Sequence, residues 1–134
     1  VSKAAKRGDK STVIIPCGDE YGGAFPTLND VIAQTKKHWS GYSTWKKKFS
    51  NRVQIIAEQA NRTHTCVCVY VTWHQANRRS DPDNIAGAGI KFVLDGLVKG
   101  GLLKDDRWAN VRRIEHDFAI DRDKPRIEVT LTEL

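Results

Sequence analysis

Methionine is absent from the 134 residues, cysteine occurs three times and proline four times, and no apolar run approaches the length of a bilayer span. Each scarcity excludes something. Without some stretch of about 18 apolar residues no membrane helix is expected. The first ten residues, VSKAAKRGDK, lack the apolar core of a signal peptide. Cys17, Cys66 and Cys68 are odd in number and follow no framework spacing, which argues against a disulfide scaffold and for a reducing, cytoplasmic location. The missing initiator methionine is read as a processed or trimmed start. No internal repeat or low-complexity tract divides the chain, so its length is that of one domain.

What is present is charge, with a sign. Lys and Arg number 22 against 16 Asp and Glu, a net +6, and the pI is near 9.4. Such an excess favours a polyanionic partner, nucleic acid above all. The 40% of apolar residues is enough for one modest core.

Residues 1–10 are polar, basic and without periodicity, and are expected to form a flexible basic arm ahead of a domain at 11–134. Ser11 to Cys17 is a β-branched run closed by Pro16 and Gly18, a first strand. Thr27 can cap a helix through Trp39, interrupted at Ser40-Gly41, and Ser43 can cap a second from Thr44 to Ala60, stopped at Asn61. Thr63 to His74 is the strongest strand, apolar enough to predict burial on both faces in the middle of a sheet. A helix from about Pro82 to Lys99 ends at Gly100-Gly101. Asn110 to Ile120 and Arg126 to Leu131 read as antiparallel strands around the turn DRDKP. The order β-α-α-β-α-β-β predicts an α+β domain: a small mixed sheet of about four strands with helices packed against it.

The informative stretch runs from Arg78 to Trp108. Asp81-Pro82-Asp83-Asn84 is an ordinary helix start, with Asp as N-cap, proline first and an acid at the positive end of the dipole. Asp81 and Asp83 also stand two apart, which puts both carboxylates on one side of an extended approach. Like charges held together need a cation between them, and Mg²⁺ takes carboxylate and water oxygens while leaving positions for phosphate. Asp83, Gly87, Lys91 and Asp95 follow one i, i+4 ridge. Lys91 either leans over Gly87 toward Asp83, leaving a gap the size of a phosphate, or pairs with Asp95 on the surface. The spacing leaves both open. Arg78, Arg79, Lys99, Lys104 and Arg107 surround the acids, as suits a site that holds a cation and admits a polyanion.

These residues resemble the RusA family of Holliday-junction resolvases of bacteriophages and prophages, in its Gram-positive phage branch. The shared pattern is Arg78-Arg79, Asp81-x-Asp83-Asn84, Lys91, Leu94-Asp95-Gly96-Leu97, Gly100-Gly101 and Asp105-Asp106, with the final strand RIEVTLTE and the upstream LNDVIAQTKKHWSGYSTWKKK. The resemblance implies a crossover-junction endodeoxyribonuclease that needs Mg²⁺, or Mn²⁺ in its place, but no small-molecule cofactor. It would act as a homodimer on branched DNA in the bacterial host. By the same resemblance Asp81, Asp83 and Asp106 hold the metal, Asp105 is the substitute for the third, and Lys91 is catalytic. Lys91 stands one helical turn further from Asp83 than in the shortest members. Arg78, Arg79, Lys46, Lys47, Lys48, Lys104 and Arg107 would grip the DNA backbone. The alternatives are a nuclease acting on flaps or forks, an inactive branched-DNA-binding module, or a basic structural homodimer.

Other patterns weigh less. Lys36-Lys37-His38-Trp39 and Trp45 to Phe49 mix cations with aromatics, which fits either a backbone-gripping surface or a helix burying its rings. His64-x-Cys66-x-Cys68 is mis-spaced for zinc and reads as alternate buried cysteines on a strand. The DPDN stretch lacks the glycine and glutamate of a calcium loop, and no Glu-x-Lys or Asp-x-Lys strand completes a restriction-type pattern. His38, His64, His74 and His116 form no nucleophile–base arrangement and are expected to be structural or exposed.

Overall fold

The computed structural model describes residues 2–37 and 39–134, with the side chains of Trp39 and Ser40 outside the description. His38 therefore also lies outside. The elements are β1 (Lys3–Ala4), β2 (Lys10–Pro16), a 3-10 turn at Asp19–Tyr21, α1 (Leu28–Thr35), α2 (Trp39–Glu58), β3 (Arg62–Thr63), β4 (Val67–Gln75), α3 (Pro82–Lys99), β5 (Val111–Ile120) and β6 (Arg126–Glu133). A mixed sheet runs in the order β2-β6-β4-β5, and β1 pairs with β3 in a separate two-stranded sheet. The domain is α+β, as expected. No helix among the described residues is long and apolar enough to cross a membrane.

Alternation builds the core. Val67, Val69, Val71 and Trp73 of β4 point to one side, joined by Val13 and Ile15 of β2 and Ile127, Val129 and Leu131 of β6. Val53 and Ala57 of α2 and Ile85, Val93, Leu94 and Leu97 of α3 close over them. The opposite side of the sheet has no such cover, since Thr12, Ile14 and Tyr70 there are exposed. Strand β4 is thus central but buried on one face only. Cys66 and Cys68 are half-buried rather than buried, while burial pushes the Cys17 thiol up to about 11.

Two glycines set the height of α3. A Cβ on Gly89 would fall 2.6 Å from the Trp73 ring, and one on Gly96 would fall 2.6 Å from the Ser50 carbonyl of α2. Thr27 caps α1 as expected, in a capping box with Asp30. Asn61, at φ 50°, turns the chain after α2, and Gly101, at φ 78°, does so after α3.

Three further expectations need correction. β5 and β6 are not neighbours, because β4 lies between them and pairs parallel with β5 and antiparallel with β6. The strand with the most apolar face takes the centre, and β5, whose residues stay half-buried or exposed, goes to the edge. The break between the first helices falls after Thr35, and α2 runs on through Gly41 and Ser43. An exposed glycine costs a helix about 1 kcal/mol, less than the packing of α2 returns. The N-terminal segment is tied down: Ala5 N donates to Thr63 O and Gly8 N to Glu133 O, both at 2.8 Å, around the β1–β3 pair.

His64 is fully buried between Ser11 Oγ at 2.8 Å and Glu133 Oε1 at 3.0 Å. Burial lowers its pKa from the usual 6.5, outweighing Glu133, and burial likewise lowers that of His116, whose Nδ1 accepts from Trp73 Nε1. Unfolded histidine takes a proton near pH 6.5, and both imidazoles resist it in the fold. The unfolded state then binds more protons, so stability falls as pH drops through about 6.5 and keeps falling until the folded pKa values are reached. The urea midpoint should be lower at pH 5.5 than at pH 7.5. An unchanged midpoint would contradict the burial of neutral imidazoles.

Candidate active site

Helix α3 presents the acids. Asp81 is its N-cap in an extended conformation and Pro82 its first residue, yet the Asp81 side chain makes no capping bond. The backbone does that work, with Asn84 N and Ile85 N donating to Asp81 O at 3.0 and 3.1 Å. Both Asp81 and Asp83 are exposed, and among the described residues neither is in an ion pair. Asn84 Oδ1 accepts from Asn29 N at 3.0 Å and fastens α1 to this corner. Arg78 and Arg79 are exposed in the preceding turn, which Arg79 N closes onto Asn77 Oδ1. A groove of about 630 Å³ opens beside Asp81, lined by Arg78, Ser80, Pro82, Ile85, Phe118 and Ile120.

Lys91 does not lean over Gly87. Its Nζ lies 3.1 Å from Asp95 Oδ1 and 3.5 Å from Asp106 Oδ2. Leu28 of α1 covers Gly87, 3.8 Å from where a Cβ would stand. The hydrogen bond to Asp95, then the charges of Asp95 and Asp106, hold the Lys91 pKa above the usual 10.5. Lys91 is a fixed cation and not a base. Asp105 Oδ1 accepts from Asp106 N, and its other oxygen pairs with Arg107 Nε at 2.9 Å.

The structure therefore brings Lys91, Asp95 and Asp106 together and leaves Asp81 and Asp83 apart from them. About 12 Å of helix axis separates Asp83 from Lys91. Among the described residues no three of His, Cys, Asp and Glu are grouped so as to hold a metal. Among the described residues of one chain no three-carboxylate cage forms. Asp81 and Asp83 remain as exposed hard-oxygen donors, the kind that Mg²⁺ takes alongside water and phosphate.

On α2, the half-buried Trp45 and Phe49 pack against Phe25 and Phe92 in an aromatic cluster beside the core. Lys47 and Lys48 stay exposed, and Lys46 lies 5.3 Å from the Tyr42 ring centre. Lys104 and Arg107 are exposed on the Asp105–Asp106 loop. Next to them Trp108 is 95% exposed, a residue to which periodicity assigns nothing and which only its polar neighbours, Arg107 and Asn110, single out.

Among the described residues Asp81 and Asp83 stand exposed close in sequence to exposed Arg78 and Arg79, an arrangement that can admit both a cation and a phosphodiester. The family described as Endodeoxyribonuclease RusA matches residues 26–132, from just before α1 into β6, and the chain belongs to that family. It is a nuclease by that membership. No curated protein matches the chain.

The Lys91–Asp106 pair is too exposed to carry the fold, with the lysine side chain 59% accessible. Lys91→Ala and Asp106→Asn should each shift the unfolding free energy by less than about 1 kcal/mol in urea titration. A larger loss would make the cluster structural.

Proposed function

We propose that this RusA-family nuclease resolves four-way DNA junctions by paired, symmetric nicks, as a Mg²⁺-dependent homodimer for which Mn²⁺ substitutes. The observation that carries the reading is the pair of exposed, unpaired carboxylates at the positive end of α3, inside the matched segment and beside Arg78 and Arg79. A helix start that needs no side-chain cap leaves Asp81 available to a ligand. A bound Mg²⁺ would supply positive charge to the scissile phosphate and acidify its water. Asp81 and Asp83 would hold it, with Asp106, or Asp105 in its stead, as the third carboxylate.

Lys91 is proposed as the cation that faces the phosphate oxygens as their charge grows, a role its raised pKa supports. Arg78, Arg79, Lys46, Lys47, Lys48, Lys104 and Arg107 would contact backbone phosphates, fixing register without reading sequence. A four-way junction must be cut on two strands of like polarity. Two identical sites on a two-fold axis suit that substrate.

Asp83→Asn should abolish cleavage of four-way junctions with Mg²⁺ while leaving or tightening binding in gel shift. On a panel of branched DNAs the wild type should nick four-way junctions in symmetric pairs. A protein that cuts flaps or forks in preference is a different structure-selective nuclease, and one that never cuts with Mg²⁺ or Mn²⁺ is a binding module.

A further inference from the structure

Among the described aromatic residues Trp108 is the most exposed, at 95%, and Tyr21 follows at 55%. No other described ring and no described cation packs on the indole. It stands on a loop that is fastened at both ends. On the α3 side Leu102 and Leu103 are buried, Leu102 O accepts from His64 N at 2.7 Å, and Lys104 N donates to His64 O at 2.9 Å. On the β5 side Asn110 N and Val111 N both donate to Arg107 O at 2.9 Å, and Val67 N donates to Asn110 O at 2.7 Å. The Asn110 side chain adds a bond from Nδ2 to Thr65 O, also at 2.7 Å. A broad ring held in water by a fixed turn loses little freedom when something flat covers it.

The surroundings say what that cover is. Lys104 and Arg107 are exposed on the same loop, and the whole chain carries a net +6. Asp106, two residues before Trp108, lies 3.5 Å from Lys91. Two Cα steps span at most about 7 Å, so the indole and the Lys91–Asp106 pair meet the same stretch of a bound strand. An apolar peptide would leave the cations unanswered. A nucleic acid answers both, with phosphates for the cations and a base for the ring. In continuous duplex every base already has neighbours on both faces. A base beside a branch point has lost one, and unstacked bases are the ones that aromatic side chains take.

We propose that Trp108 stacks on an unstacked base beside the branch point, and that this contact selects branched over linear DNA. The inference rests on the branched-DNA reading above and adds to it the residue that discriminates. Backbone cations grip either kind of DNA, because phosphates are present in both. Every base has a π-face, so the contact selects shape and not sequence.

Wild type, Trp108→Ala and Trp108→Phe are compared in binding to a four-way junction and to a linear duplex. Ca²⁺ replaces Mg²⁺ to prevent cutting, and circular dichroism confirms each fold. Trp108→Ala should weaken junction binding by about tenfold, the equivalent of roughly 1.4 kcal/mol, and leave duplex binding unchanged. The salt dependence of the junction complex should stay the same, because a stacked ring releases no counterions. Trp108→Phe should recover most of the loss. 2-Aminopurine placed beside the branch point should be quenched by the wild type and not by Trp108→Ala.

Junction binding that survives Trp108→Ala unchanged overturns the inference. So does an equal loss on duplex, or a smaller salt slope, since either makes the residue part of the backbone grip. A wild type with this Trp108-dependent binding that cuts no junction with Mg²⁺ leaves the stacking contact standing and removes the nuclease mechanism. One that nicks junctions in symmetric pairs with or without the indole does the reverse.

Discussion

Helix α3 is fixed by close approaches on two sides, to the sheet beneath it and to α2 beside it, and the placement of its acids depends on them. Trp73 reaches up from β4 to the backbone at Gly89, and the Ser50 carbonyl and Val53 reach across from α2 to Gly96. A side chain at either glycine would lift the helix, and every acid on it would move. With the helix pressed down, Ile85, Val93, Leu94 and Leu97 fill the core while Asp83 and Lys91 stay on the accessible side. The same contacts leave β5 without a helix above it, so the position of α3 and the exposure of β5 have one cause.

Charge then divides along α3. At its start two carboxylates stand free near exposed arginines. About halfway along, Lys91 holds Asp95 and Asp106, neutralising acids that would otherwise crowd. Asp106, on the loop after α3, is thus paired with Lys91, two helical turns along from Asp83.

Much of this was legible in the residues. Periodicity gave every long element in order, because 3.6 and 2.0 repeats are local properties. Capping chemistry found Thr27 and the start of α3 for the same reason. Pairing was not legible: β5 and β6 alternate and are joined by a turn, but nothing local says that β4 inserts between them. The break between α1 and α2 was misplaced because Ser40-Gly41 and Ser43 carry stop and cap chemistry that tertiary packing overrides. At the site, the D-P-D-N start announced exposed acids and the i, i+4 spacing announced the Lys91–Asp95 pair, whereas the second partner of Lys91, Asp106, depended on a loop fifteen residues away in sequence. Trp108 escaped notice because a single ring in a turn has no period to detect.

The separation of Asp81 and Asp83 from Asp106 within one chain, taken with the proposed homodimer, predicts sites shared between protomers, and that prediction has a direct measurement. Asp83→Asn and Asp106→Asn proteins, each inactive alone, are mixed, allowed to exchange subunits, and assayed on a four-way junction with Mg²⁺. In a mixed dimer with shared sites both lesions fall in one site and the other is intact, so single-strand nicking should return. If the acids act within one chain, each site keeps one lesion and the mixture stays silent, which would contradict the account.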